Sequence, residues 1–242
     1  MGEALISGLV SSRFPKSQIV FTEKRSDRAR EISTKYGARA LELNELARTS
    51  DVVLLVVKPQ DLGELLDTLK PDLNQKTLLV SFAAGKTTDF IQRKVGTDSA
   101  VIRVMPNTPT LIGLGMAAIS LGKSVDTEQA KFVSDFLLAC GKVISVDESL
   151  QDAVTALSGS GPAYFFAFVE EMIKSGVKLG LSQEEATTLS IQTIIGSAAM
   201  LEQSGKSATV LRENVTSPNG TTAAALKVFS DKEFGEIISS AM

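Results

Sequence analysis

The segment Arg212-Glu213-Asn214-Val215-Thr216-Ser217-Pro218-Asn219-Gly220-Thr221-Thr222 carries the sharpest chemical signal in the chain. Pro218-Asn219-Gly220 spells a tight turn, and the Thr- and Ala-rich stretch that follows, to Leu226, spells a helix. A helix that opens on a turn presents free N–H groups, which bind anions and carboxylates in particular. Thr221 and Thr222 add hydroxyls that donate or accept. The same spacing is also that of a capped helix with no further role. A second signal comes from three turns that each close an apolar run: Val56-Val57-Lys58-Pro59, Ser81-Phe82-Ala83-Ala84-Gly85 and Met105-Pro106-Asn107-Thr108-Pro109. Pro59 has no N–H for a strand ladder, and the small residues of the second turn let a flat ring approach the backbone. Each alone could be a plain turn. At three successive strand ends, they are better explained by one shared ligand lying beyond the C-terminal ends of the strands.

Other positions are weaker. Gly2 precedes the amphipathic stretch Leu5, Ile6, Leu9, as in a helix just after a phosphate-binding turn. A G-x-G-x-x-G fingerprint needs a preceding strand and two more glycines; the sequence shows neither, so Gly2 alone reads as part of an ordinary first helix. Glu23, Lys24 and Arg25 follow the next short strand, where an adenine ribose would lie. An acid there favours the free diol and basic residues favour a 2′-phosphate; Lys24 and Arg25 tilt the reading to NADP, and solvated loop charges are the alternative. The chain has no histidine and a single cysteine, Cys140. Ser-His-Asp and Cys-His devices, histidine bases and zinc sites are thereby excluded, and no metal is expected. The chemistry falls to a cofactor, hydroxyls, backbone amides or carboxylates.

The elements that must position these residues divide in two. Ile19–Thr22, Val52–Val57, Leu78–Phe82, Val101–Val104 and Val143–Val146 read as short strands, alternating with helices over Asp27–Tyr36, Leu62–Leu69 and Asp126–Cys140. That alternation predicts an α/β domain with a parallel sheet covered on both faces. After Asp147 no strand pattern remains. Pro162 stands where a first helical residue belongs, after the flexible Ser158-Gly159-Ser160-Gly161. The helix it opens is apolar nearly all round (Tyr164, Phe165, Phe166, Phe168, Val169, Met172, Ile173), the pattern of a helix buried on every side. Ser182 and Glu185 form a capping box for the next. The expected division is a dinucleotide-binding domain over 1–146 and an all-helical domain over 147–242. So much apolar helix surface points to packing against a second copy, with a self-contained bundle as the alternative. A net charge of −3 offers nothing to nucleic acid or an anionic membrane. No apolar run reaches membrane-spanning length. Glu3 near the start and the absence of a basic lead-in argue against a signal peptide. The lone cysteine fits a reducing, cytoplasmic setting.

Taken together, these phrases resemble the pyrroline-5-carboxylate reductase family. The matching stretches are Val57-Lys58-Pro59-Gln60, Ser81 to Gly85, Arg103 to Pro109, Leu157-Ser158-Gly159-Ser160-Gly161-Pro162-Ala163-Tyr164 and Asn214 to Leu226, and the resemblance runs from Met1 to Met242. It implies a Rossmann-type domain followed by a helical dimerisation domain, with the active site between the cofactor crevice and the second domain. It implies NADPH as cofactor, with NADH as the alternative. The partners it implies are a small imine substrate and a second copy of the chain: a homodimer as the basic unit, with a decamer of dimers within the family's range. Gly2 looks like the third glycine of the fingerprint. Asn44, Val56, Val57, Lys58, Pro59, Ala83, Ala84 and Asn107, with Glu23, Lys24 and Arg25, fall at cofactor positions. Asn214, Val215, Ser217, Asn219, Gly220 and Thr221 fall in the loop that holds the substrate carboxylate, and Thr222 matches the active-site threonine.

Three departures accompany the resemblance. The fingerprint's first strand and first two glycines precede Met1, and the expectation is that upstream residues supply them, since an unpaired central strand edge would be costly. The family's terminal helix would lie beyond Met242. Asn219 stands where the family often has Gly; Asn tolerates a left-handed backbone, so the turn should survive. The implied reaction is hydride transfer to a cyclic imine, the last step of proline synthesis. A related imine or 3-hydroxyacid reductase is a second reading; the hydroxyacid branch would use a lysine such as Lys174 or Lys178, both on solvent-facing positions. A non-catalytic dinucleotide-binding dimer module is a third.

Overall fold

A computed structural model describes residues 1–242. They form two compact units, Met1–Pro162 and Ala163–Met242.

The first unit alternates helix and strand. In order it contains α1 (Gly2–Ser11), β1 (Val20–Phe21), α2 (Ser26–Tyr36), β2 (Arg39–Ala40), α3 (Leu43–Thr49), β3 (Val52–Leu55), α4 (Leu62–Leu69), β4 (Leu78–Ser81), α5 (Thr88–Val95), β5 (Val101–Pro106), β6 (Gly115–Leu121), α6 (Thr127–Leu138) and β7 (Gly141–Ser145). A short α7 (Gln151–Val154) and a π-helical turn (Thr155–Gly159) then run into α8 (Gly161–Lys178). β1 and β2 pair in parallel; the other strands form a five-stranded sheet in the order β3-β4-β5-β6-β7. One face of the sheet packs Leu78, Val80, Ile102 and Val104 against Leu5 and Leu9 of α1 and Val133, Phe136 and Leu137 of α6. The other packs Val53, Leu55, Leu79 and Val101 against Leu46, Leu62, Leu66 and Ile91 of α3, α4 and α5. Burial on both faces explains the apolar runs of β4 and β5, broken in β5 only by Arg103.

The expected all-parallel sheet is corrected by β6, which pairs antiparallel with β5. Only residues 107–114 connect the two, too few for the crossover that a parallel pairing needs. β6 mixes glycine, alanine and serine, so it carries little strand signal, and the two-residue β2 is too short to show periodicity. α9 (Gln183–Gln203) opens on the anticipated capping box of Ser182 with Glu185, and α6 on one of Asp126 with Gln129. Pro162 does not start a helix after a flexible stretch: Ser158 and Gly159 are in the π-helical turn, and Pro162 is the second residue of α8. A second-position proline sacrifices no intrahelical hydrogen bond, because the N–H there is unpaired in any case.

The second unit contains the remainder of α8, then α9, α10 (Ala208–Asn214), α11 (Thr221–Asp231) and α12 (Phe234–Ala241), with no strand. The apolar side chains of α8 are not covered within one chain: Phe165 is 62% exposed and Phe166 68%. Leu189, Ile191, Ile195, Met200 and Leu201 of α9 are exposed likewise. No helix is long and apolar enough to cross a membrane.

Candidate active site

In register, Leu55 of β3 lies opposite Ser81 of β4, which lies opposite Arg103 of β5. β3 and β4 therefore end level with one another and β5 runs three residues further, to Pro106; the turns that follow, Val56–Pro59, Phe82–Gly85 and Asn107, all leave the C-terminal end of the sheet. Gly2, the first residue of α1, lies beside that end; a Cβ built there would sit 3.9 Å from Val56 Cγ1. The Phe82 N–H is held by Leu55 O at 3.1 Å, and the Ala83 N–H by Ser81 Oγ at 3.3 Å. Gly85 takes φ 68, the left-handed conformation that its turn requires and that glycine adopts freely. Asn107 is pinned at both ends of its amide: Oδ1 accepts the Met116 N–H at 2.9 Å, and Nδ2 donates to Ser158 Oγ at 3.4 Å. Small side chains, backbone and one fixed amide thus line an edge into which a flat ring fits.

The helix that starts at Gly2 carries Glu3 in its first turn, where an acid would compete with a bound phosphate. Its carboxylate is drawn away to α2: it accepts from Lys35 Nζ at 2.9 Å, from the Tyr36 hydroxyl at 2.8 Å and from Arg28. Lys35, Tyr36 and Arg28 together hold the Glu3 carboxyl down at about 2. Glu23, Lys24 and Arg25 are exposed where β1 runs into α2, and Glu23 Oε1 accepts the Arg25 N–H at 3.0 Å. Glu23 is thus turned onto its own loop while the two cations remain free of ion pairs closer than 4.0 Å. Asn44 sits at the start of α3, its Oδ1 accepting the Glu45 N–H at 2.8 Å. A dinucleotide suits this arrangement in shape and charge.

The loop of the second unit is built as a helix opening. The Thr216 hydroxyl donates to Arg212 O at 2.6 Å, and Gly220 N donates to Ser217 O at 3.0 Å, closing the turn. Asn219 has φ 59, the left-handed state expected of it. Gly220 is the N-cap of α11, and no side chain caps that end. The first N–H groups of α11 are therefore open, with Thr221 and Thr222 beside them. Asn214, Val215, Ser217 and Asn219 are exposed in the single chain, and Thr222 is half-buried. Lys174 is tied up by Glu170 and Glu171 at 2.7 and 2.8 Å, which raise its pKa and keep it charged, unsuited to a base. No cluster of three metal-ligating side chains exists.

Two shallow hollows occur elsewhere on the first unit: one by Pro106, Thr110, Gly115, Met116 and Cys140, too small to hold a ligand, and an open one of about 540 Å³ on α2, by Asp27, Arg30 and Lys35. Arg103, Glu148 and Gln151 stood outside the predicted site; the one sequence signal for them is an arginine interrupting the apolar run of β5.

Comparison with known proteins agrees with this geometry. Residues 148–242 match the family model for pyrroline-5-carboxylate reductase dimerisation, and residues 1–85 match one described as NADP oxidoreductase, coenzyme F420-dependent. Pyrroline-5-carboxylate reductase 1 of Bacillus subtilis is 39% identical over 246 residues, spanning 100% of this chain and 82% of the relative. The solved reductase of Coxiella burnetii superposes with a TM-score of 0.93 at 33% identity, over 99% of this chain and 90% of that one. The Plasmodium falciparum pyrroline carboxylate reductase, solved with NADP bound, gives 0.89 at 32% identity, over 100% and 90%. With sequence identity at this level along the whole chain and backbones that superpose over both units, this chain belongs to the pyrroline-5-carboxylate reductase family.

Proposed function

We propose that the protein reduces 1-pyrroline-5-carboxylate to L-proline with NADPH as donor. The observation that carries this reading is the uncapped N-terminus of α11, set on the Asn219 turn and flanked by Thr221 and Thr222. Its open N–H groups and positive dipole end take a carboxylate, and Ser217, Asn219, Gly220 and Thr221, with Asn214 and Val215 at the loop's start, form its cradle. The Thr222 hydroxyl hydrogen-bonds the ring nitrogen and assists its protonation. A protonated imine is already electrophilic, so a protein without histidine can serve: its tasks are anchoring and alignment.

The nicotinamide group, when bound, supplies the hydride. Val56, Val57, Lys58, Pro59, Ala83, Ala84 and Asn107 at the strand ends would hold the dinucleotide, with Gly2 at the start of α1 and Asn44 at the start of α3. With Glu23 occupied by its own loop, Lys24 and Arg25 face a 2′-phosphate, which favours NADPH over NADH. The functional division proposed is 1–146 for the nucleotide and 147–242 for substrate and dimer. The exposed apolar faces of α8 and α9, within a dimerisation family, support a homodimer; assembly into a decamer is the larger form proposed. The lone buried cysteine suits a cytoplasmic setting.

The test is the loss of nicotinamide absorbance when the full-length protein meets NADPH and pyrroline-5-carboxylate, with proline identified as product. NADPH binding without turnover would redirect the reading to another imine. A folded dimer that binds no NADPH would mark a non-catalytic module.

A further inference from the structure

Directly opposed residues of neighbouring strands share one face of a sheet. Ser81, Arg103 and Ser120 are opposed in turn across β4, β5 and β6. All three are polar and all three are inside: Ser81 is 0% exposed, Arg103 4% and Ser120 1%. A buried cation is costly unless it is well paired, and an apolar row of similar volume is often as stable or more so. Arg103 is paired only loosely. Its Nη1 lies 3.6 Å from Glu148 Oε1, and its Nη2 lies 3.7 Å from the exposed Asp152 and makes no hydrogen bond. A row so expensive points to a use beyond holding the core.

Each member leads to a turn at the candidate nucleotide edge. Ser81 Oγ accepts the Ala83 N–H. Glu148, beside Arg103, accepts both the N–H and the hydroxyl of Thr88 at 2.7 Å each, fixing the start of α5 just after the Ala83–Gly85 turn. Ser120 Oγ donates to Val146 O and accepts from Gln151 Nε2, at 2.8 Å each. Gln151 begins α7, and the π-helical turn after it carries Ser158 to Asn107. π-turns inside helices are frequent at functional sites. Asn107 itself lies four residues beyond Arg103, just past the end of the same strand.

We propose that Arg103 is a positioning residue for hydride transfer, the centre of a polar crossbar that fixes the Ala83–Ala84 turn, the start of α5 and Asn107 relative to one another. This rests on the reductase reading above. Arg103 touches neither substrate nor cofactor; it acts through Glu148 on the one side and through the α7 segment on the other.

The test uses Arg103→Met, Arg103→Lys, Glu148→Gln and the double variant Arg103→Met/Glu148→Gln, all full-length. Hydrogen exchange is followed in the cofactor-free protein over residues 82–90 and 105–116, with α9 as the internal reference. NADPH affinity, kcat per folded protein and the isotope effect with deuterated NADPH are read alongside. The expected result for Arg103→Met and Glu148→Gln is faster exchange in both segments and none in α9. NADPH Kd should move less than about threefold, while kcat falls by about ten- to a hundredfold, the scale of a misaligned reacting pair. The isotope effect should rise toward its intrinsic value, Arg103→Lys should recover part of the loss, and the double variant should lose no more than the worse single one, as coupled residues do. Unchanged kcat per folded protein, unchanged exchange in the two segments, or losses that multiply in the double variant would overturn the proposal. Should Arg103→Met fail to fold, Glu148→Gln, at a half-buried site and of equal shape, tests the same link. An unsubstituted protein without turnover would count against the proposed function, whereas exchange and binding judge the crossbar by themselves.

Discussion

Thr222 is the second residue of α11, half-buried beside an uncapped helix end. A hydroxyl that assists protonation of an already electrophilic imine contributes less than a full general acid. Thr222→Ala is expected to lower kcat by about tenfold, near or below the lower end of the acid–base range, with NADPH affinity unchanged; an unchanged kcat removes Thr222 from the mechanism. Glu3 gives a second residue-scale prediction. Lys35, Tyr36 and Arg28 lower its pKa from an ordinary 4.5 to about 2 in the folded protein. A group with a depressed folded pKa stabilises the fold fully above its unfolded value and loses that contribution as pH falls through its folded one. Glu3→Gln should therefore lower Tm at neutral pH, and the difference from the unsubstituted protein should close between pH 4.5 and about 2. Thermal melts of both proteins across that window check it; a difference that grows on acidification reverses the sign and defeats the assignment. Glu3 was legible only as a residue near a presumed phosphate turn. Its partners are 25 to 33 residues away and belong to another helix.

Among the elements, the β6–β7 pair is the most constrained. It opens with Gly115 opposite Gly141. Gly141 has φ 147, and a Cβ there would lie 1.9 Å from Gly115 O, a backbone atom that cannot swing aside. Gly141→Ala should cost about 2 kcal/mol or more, through strain and a forced shift of the ladder. Thermal or urea unfolding measures this, and a variant of unchanged stability would mean that the two strands do not meet in this register. β4 and β5 were readable because burial on both faces leaves a largely apolar run, which Arg103 alone interrupts in β5. β6 was not: its Gly, Ala and Ser residues are chosen by what lies opposite, which no local pattern reports. The capped helices α6 and α9 were readable because a capping box is closed within four residues.

The whole molecule leaves a large apolar surface on α8 and α9 uncovered in one chain. A second copy covering it makes stability depend on concentration. Tm should rise with protein concentration, and Phe165→Asp should shift sedimentation from dimer to monomer and abolish turnover. NADPH binding, which the proposed function assigns to the first unit, should survive. A monomeric unsubstituted protein at micromolar concentration would remove the dimer from this account.

The sequence by itself determined the alternation of strands and helices, the turns at three strand ends, the turn-to-helix opening at Asn219–Thr222 and the exclusion of histidine chemistry. Each is written in residues close together in the chain, where periodicity, capping and turn preference act. The tertiary structure alone decided that Ser81, Arg103 and Ser120 form one buried row, that β6 runs against β5, and that Glu148 closes the start of a helix sixty residues earlier. Those facts depend on register and on which segments meet, and a one-residue slip in register would turn every side chain of a strand to the opposite face.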